Sequence, residues 1–447
     1  MITKNQELEV EIVGYTSEGY GVARHEGFVI FVPFAIVSEI VKVHIIKTTK
    51  SYAVGKIIEI IKPSEERRVP LCSVYGKCGG CALQHISYEG ALKIKKTIVE
   101  DALRKIGGFT NLAIQDCVPS SKEYDYRNKA AFPLFVNEEG KIEICMFRNL
   151  SHNPVYIGDC SISDNLIDKI AKAFKDFANL NYELKDLKTM RYLVLRVIDN
   201  KVLMVIVSDK EVKKVTNLFL AIQEKANLEP GSLGIYWCKK SKDNNVILEG
   251  EIKHLLGIES IKTNINNIFV EISPMSFFQV NIDIMNKIYS KVNQNIDANE
   301  VVIDAYSGAG LLSSLIAQKA KQVYGIEIIP DATKNANELK TMNKITNLLN
   351  INGDASVEVP KLINNIKENF TVVLDPPRKG VDEKVLNSII LSKPSKIIYV
   401  SCNPASLSRD LKILCGGGYE IKEVCPYDMF PQTSHVETFA RLEKRKI

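Results

Sequence analysis

Val301-Val302-Ile303-Asp304-Ala305-Tyr306-Ser307-Gly308-Ala309-Gly310 decides how this chain is read. An apolar, β-branched run ending in an acid predicts a strand buried on both faces, the habit of parallel sheets. The loop from Ala305 to Gly310 hands over to an apolar run, Leu311 to Ala320, that predicts a helix. A second strand follows in Val323-Tyr324-Gly325-Ile326-Glu327. Alternation of strand and helix is the signature of an open α/β sheet, which binds ligands beyond the carboxyl ends of its strands.

The glycines let the backbone approach a ligand, and an acid closing the next strand can accept both hydroxyls of a ribose. Leu311 and Leu312 stand where a dinucleotide fingerprint would have its third glycine. Asp304 before the loop and Glu327 after it therefore favour S-adenosylmethionine over a nicotinamide cofactor. Downstream, the third strand ends at Asn352-Gly353-Asp354, whose Asp can accept from an adenine amino group. The fourth, Thr371 to Leu374, runs into Asp375-Pro376-Pro377-Arg378-Lys379-Gly380, a loop made rigid by two prolines. Arg378 and Lys379, not an aromatic, follow the prolines, which argues against methylation of an exocyclic amino group.

The fifth strand, Ile397-Ile398-Tyr399-Val400, delivers Ser401-Cys402-Asn403-Pro404 to the rim of the sheet. A free Cys is often an inert buried thiol. At a ligand-binding rim, however, it is a soft nucleophile. The C5 carbon of uracil is too poor a nucleophile to attack a methyl sulfonium unaided. A thiolate added at C6 makes it an enolate, and a base must then remove the C5 proton so that sulfur can leave. Glu437, in Ser434-His435-Val436-Glu437-Thr438, is the candidate base, since a carboxylate in a dry site has a raised pKa suited to the task. His435 is a weaker rival.

Upstream, residues 1–62 read as short strands punctuated by glycines, a small β-barrel. Seven Lys and Arg against seven Asp and Glu there give no electrostatic argument for RNA. A polar linker, Pro63 to Pro70, leads to Cys72, Cys78 and Cys81, with Gly79-Gly80 between the last two and Cys160 much later. Four thiols without His suit an iron–sulfur cluster, a zinc ion, or no ligand at all; spacing alone leaves these open. Cys117, Cys145, Cys238, Cys415 and Cys425 have no such company and read as core. An amphipathic helix is predicted over 88–105. Tyr124-Asp125-Tyr126-Arg127-Asn128-Lys129 interleaves cations and aromatics, either an RNA clamp or a solvated strand edge. Residues 162–267 read as α+β, with helices at 164–178 and 211–226 and strands at 191–198 and 202–208; Trp237 reads as packed.

The 447 residues imply two or three domains, and a net charge of +5 is compatible with a polyanionic partner without identifying one. Ten Cys in so long a chain do not make a disulfide scaffold. With no apolar run of membrane-spanning length and no signal-like start, a reduced, cytoplasmic protein is expected.

The loop Asp304–Gly310, Asp375–Gly380, Ser401–Pro404 and His435–Thr438 together resemble the RNA uracil-C5 methyltransferase family, and residues 1–62 resemble the TRAM domain. The cysteine set and the TRAM-like start are similar to the bacterial 23S ribosomal RNA branch, whose members carry a [4Fe–4S] cluster. The resemblance implies Cys402 as nucleophile, Glu437 as base, and S-adenosylmethionine contacts from Gln279, Tyr306, Glu327 and Asp375; Asp354 joins these on its position. It implies Cys72, Cys78, Cys81 and Cys160 as cluster ligands. The fold expected is an OB-like β-barrel (1–62), a central α+β domain with the cluster (63–270) and a Rossmann-like methyltransferase domain (271–447). The helix at 88–105 should dock on the last of these. A monomer acting on 23S ribosomal RNA is expected, with no membrane association. Two alternatives stand beside it: a transfer RNA methyltransferase, and a non-catalytic RNA-binding iron–sulfur protein.

Overall fold

The computed structural model describes residues 2–240, 244 and 246–445. At the amino-terminal end, the strands Glu7–Tyr15, Gly21–His25, Phe28–Val32, Tyr52–Lys62 and Ile40–Thr48 pair in that order and close into a barrel. The period-two alternation does this: Val10, Ile12, Val41, Val43 and Ile45 point inward with Ala23, Ile30 and Val32, while their neighbours face out. The barrel is tied to the following segment by Glu39. This fully buried carboxylate accepts from Arg67 of the linker and from the backbone N–H of Ile36.

The middle of the chain forms a seven-stranded sheet. Its order is Ile252–Gly257, Leu233–Lys239, Lys201–Ser208, Met190–Ile198, Lys129–Val136, Ile142–Phe147 and Pro154–Tyr156. Helices Asn165–Asn181 and Val215–Lys225 cover one face through Ile167, Phe174, Leu218 and Ile222. Lys129–Val136 pairs along Met190–Ile198 but meets Ile142–Phe147 only over Leu134–Val136, so Arg127 and Lys129 stand half-buried at the one-sided start of the strand.

The carboxyl-terminal sheet also has seven strands, in the order Leu348–Asn352, Gln322–Glu327, Val301–Ala305, Phe370–Leu374, Lys396–Ser401, Glu437–Lys444 and Tyr419–Tyr427. The first five are parallel; Glu437–Lys444 runs against them, and Tyr419–Tyr427 pairs antiparallel to it at the edge. Strand order reverses at Val301–Ala305, which pairs with the second strand on one side and the fourth on the other. That is where an open sheet gapes and binds ligands. The hairpin Ile261–Ile265/Ile268–Ile272 packs into the same core as Val302, Ile316 and Val373, so the junction expected at 270/271 falls within its second strand. Helix Tyr88–Ala102, continued by a wider turn over Leu103–Gly107, lays Ile94, Ile98 and Val99 against the other face of this sheet, beside Leu407, Leu411 and Val436.

Cys117, Cys145, Cys238 and Cys425 are buried as core residues, whereas Cys415 is half-exposed and only packs at the edge of its cluster. Trp237 is buried and donates to Ser208 Oγ at 3.0 Å. No helix among the described residues is long and apolar enough to cross a membrane.

Candidate active site

The site is built where the parallel strands stop. Beyond Val301–Ala305 the chain turns sharply: Tyr306 takes a φ of 74° and Gly310 a φ of 80°. Left-handed backbone at a non-glycine residue is costly and is held in place by its surroundings. Here the N–H groups of Tyr306 and Ser307 both donate to the Ile326 carbonyl, at 3.0 and 2.8 Å. Gly310 has no alternative, because a Cβ there would meet Ala336 Cβ at 2.7 Å. Glu327 fixes the same loop, one carboxylate oxygen accepting from Gly308 N–H at 3.0 Å and the other from Ile329 N–H at 2.8 Å.

Cys402 is presented by a second sharp turn. Asn403 caps helix Pro404–Gly416 through Ala405 N–H, and its side-chain amide donates to the Arg378 carbonyl at 2.9 Å. One residue thus starts the helix and joins the nucleophile turn to the proline loop. The neighbouring antiparallel strand pairs Thr438 with Ser401, which sets Glu437 across from Cys402. Gln279 has no regular secondary structure to hold it. Asn128 does so instead, donating its side-chain amide to the Gln279 carbonyl at 2.9 Å and its N–H to the Val280 carbonyl at 3.0 Å.

These turns enclose a cavity of about 400 Å³ lined by Gln279, Tyr306, Asp375, Cys402 and Glu437. Asp304, Tyr289, Arg378, Phe278 and Phe430 complete its wall. The cavity is electrostatically one-sided. Burial pushes Asp304 and Asp375 up to about 7, and burial with the charge of Asp375 pushes Glu437 up to about 8. Arg378 is the cation that opposes this at Glu437 and at Cys402. The Cys402 thiol is raised by burial and by Glu437, so the cavity as it stands keeps it protonated. One Asp304 oxygen takes the Ser313 hydroxyl, while the other is buried without a partner. Three carboxylates held near neutrality by burial form a receptor short of positive charge.

Two predicted cofactor residues lie outside this cavity wall. Glu327 stands behind the glycine loop it braces. Asp354 is exposed and caps helix Ala355–Asn365 through Ser356 N–H, though its charge still reaches Tyr306. His435 does not line the cavity; its ring lies edge-on to Phe430, with centroids 6.1 Å apart. In the sequence Arg378 counts only against methylation of an exocyclic amino group, and Tyr289 and Phe430 carry no motif at all. Position directly after Asp375-Pro376-Pro377 was the available signal for Arg378; Tyr289 and Phe430 reach the wall only through tertiary packing.

The four clustered cysteines are half-buried and free. Burial raises the Cys81 thiol to about 12, and the charges of Cys160, Cys78 and Cys72 add to this, so the four sulfurs stand within electrostatic reach of one another. Gln84, fully buried, pins their loops by accepting from Cys72 N–H at 3.1 Å and donating to Ser161 Oγ at 3.2 Å. No group of three or more His, Cys, Asp or Glu side chains among the described residues is arranged to hold a single metal ion. The cysteine loop also touches the catalytic side, because Ala82 and Leu83 N–H both donate to the Gln432 carbonyl, five residues before Glu437.

Residues 87–445 match the family described as tRNA (Uracil-5-)-methyltransferase, and residues 3–58 match the TRAM domain. An uncharacterized RNA methyltransferase of Bacillus cereus is 36% identical over 451 residues, covering 99% of this chain and 98% of the relative. One from Clostridium tetani is 38% identical, covering 98% of this chain and 96% of its own. Among solved structures, the Pyrococcus abyssi tRNA (uracil-54, C5)-methyltransferase in complex with S-adenosyl-L-homocysteine superposes with a TM-score of 0.77. It is 25% identical, covering 97% of this chain and 100% of its own. A cavity short of a cation, at the switch point of a methyltransferase sheet, agrees with a sulfonium cofactor. The chain belongs to the RNA uracil-5-methyltransferase family and carries a TRAM domain in a closed five-stranded barrel.

Proposed function

We propose that this enzyme methylates C5 of a uridine in 23S ribosomal RNA through a transient bond between Cys402 Sγ and C6. The observation that carries the reading is the meeting of Cys402, Glu437 and Asp375 in one cavity, with Glu437 across the strand pair from Cys402. S-adenosylmethionine supplies the electrophilic methyl group and, with it, the positive charge that the buried carboxylates lack. That charge draws Asp375 and Glu437 toward their ionised forms. Cys402 gives its proton to ionised Asp375 and adds to C6 as the thiolate, the C5–C6 double bond opens, and Arg378 faces the developing negative charge. Once C5 has taken the methyl group, ionised Glu437 removes the C5 proton, the double bond re-forms and the thiolate leaves. The base must leave its stack to enter so enclosed a site, which favours loops or partly unfolded RNA.

Cys72, Cys78, Cys81 and Cys160 would hold a [4Fe–4S] cluster. The support for this reading is that four thiols, with no His among them, stand within electrostatic reach of one another. Methyl transfer moves no electron, so the cluster's part is to hold loops. Loss of activity on one-electron reduction, with cluster and fold intact, would overturn that assignment. The enzyme is read as a cytoplasmic monomer.

A uridine in transfer RNA is the second reading, and one observation favours it. The Pyrococcus abyssi enzyme named for transfer RNA aligns with 97% of this chain, so the barrel and the cysteine region do not by themselves single out ribosomal RNA. Mapping 5-methyluridine in ribosomal and transfer RNA from cells with and without the gene separates the two. RNA carrying 5-fluorouridine at the mapped position, given the methyl donor, is expected to be trapped covalently on the protein. Failure to trap with parent enzyme would overturn the covalent mechanism.

A further inference from the structure

Arg127, Lys129 and Arg196 form a cationic cluster that the reaction does not use. Lys129 and Arg196 are direct partners on adjacent antiparallel strands, and Arg127, just before the first of them, lies close enough for its charge to act on Lys129. Like charges directly opposite each other destabilise a sheet. Arg196 is only 2% exposed, between Val194 and Ile198 on the face packed toward the catalytic core. Its Nη2 donates to the Ser276 carbonyl at 2.7 Å, but its Nε and Nη1 are buried with no partner among the described residues. Arg127 Nε donates to the Lys129 carbonyl at 3.0 Å. None of the three makes an ion pair among the described residues. Burial and the two neighbouring guanidiniums lower Lys129 to about 8. A buried guanidinium without a counter-charge is costly. The fold holds three such cations together beside the Ser276–Asn281 segment that carries Gln279.

We infer that Arg127, Lys129 and Arg196 form a binding site for a backbone phosphate of the substrate RNA, next to the nucleotide presented to Cys402. The inference rests on RNA being the substrate. A phosphate, not the base, is the ligand because none of the three side chains lines the reaction cavity. A single phosphate can take N–H donors from half-buried Arg127 and Lys129 at once and supply the counter-charge that buried Arg196 lacks, which removes the repulsion across the strand pair. The contact fixes the register of the strand and carries no sequence information.

The test is the salt dependence of binding to a short oligouridylate and to unmodified 23S ribosomal RNA transcribed in vitro. Lys129→Gln and Arg127→Gln, at half-buried positions, are used so that folding is not at stake; unfolding midpoints and S-adenosylmethionine binding verify this. Each variant is expected to lower the slope of log K against log salt by about 0.7, the value of one single-strand phosphate contact. The loss in methylation should fall on KM for RNA and not on kcat, and Lys129→Arg should restore the parent slope. Lys225→Gln, on the helix covering the opposite face, should leave the slope as in the parent. Folded Lys129 and Arg127 variants with the parent slope would overturn this inference alone. A parent protein that binds neither RNA would overturn it together with the RNA reading.

Discussion

Two neighbouring regions of this molecule are charged in opposite senses, and neither is balanced. The reaction cavity gathers Asp304, Asp375 and Glu437 around a single guanidinium, Arg378, and burial raises all three carboxylates. The Arg127, Lys129 and Arg196 cluster gathers cations with no acid, and burial lowers Lys129 and Arg196. A third place shows what a completed arrangement looks like. Lys95, on the docked helix, is fully buried against Asp428 and also donates to the Phe430 carbonyl at 2.9 Å, so each of these charges has its counter-charge within the fold. The contrast separates charge that the fold pairs within itself from charge that it leaves uncompensated in the cavity and beside it.

The largest way to break the comparison is Cys402→Ala. If the cavity is a covalent site, methylation should fall by about 10⁴-fold or more and trapping by 5-fluorouridine RNA should vanish, with S-adenosylmethionine binding retained. A non-catalytic RNA-binding iron–sulfur protein would lose nothing. Next comes the balanced pair. Lys95→Met leaves Asp428 buried alone and should cost about 3–5 kcal/mol in denaturant unfolding, far more than the loss of a surface ion pair such as Lys225–Asp176.

Glu437→Gln sharpens the cavity's half. Turnover should drop on the order of 10²- to 10⁴-fold, while RNA accumulates as a covalent, methylated adduct visible on a denaturing gel, because addition survives and proton removal does not. The smallest effect is thermal. Burial takes the Glu437 carboxyl from its ordinary 4.5 up to about 8 on folding, and Asp304 and Asp375 rise in the same direction. Between those values the native state binds more protons than the unfolded chain, so stability of the cofactor-free protein falls as pH rises from 4.5 toward 8. Tm should therefore decline over that range, and Glu437→Gln should recover about 4 °C at pH 8. S-adenosylmethionine should flatten the profile more than the uncharged thioether product does.

The periodicities carried far. Alternation in residues 7–62 specified a barrel, and the strand–loop–helix of 301–320 placed Cys402 and Asp375 at the carboxyl rim of a parallel sheet. The cysteine spacing marked four thiols that the fold does bring within electrostatic reach. Less was legible for side chains whose role depends on distant packing. Gln279 was named through a resemblance, and it is Asn128, about 150 residues away, that holds it. Asp354 stands at its strand end as expected but is engaged as a helix cap outside the cavity wall. Arg127 and Lys129 were visible as cations; Arg196, which turns them into a cluster, lies in a strand that reads as plain core.

The chain's own letters determined which atoms can do chemistry: a sulfur, a carboxylate, a glycine loop, and the local geometry that sets each at the end of a strand. Those are short-range matters, governed by turn residues and by periods of 2 and 3.6. Only the folded whole decided which charges are compensated. Whether a carboxylate sits near 4 or near 8, or a guanidinium finds a partner, depends on burial and on neighbours hundreds of residues away, and no local pattern encodes either.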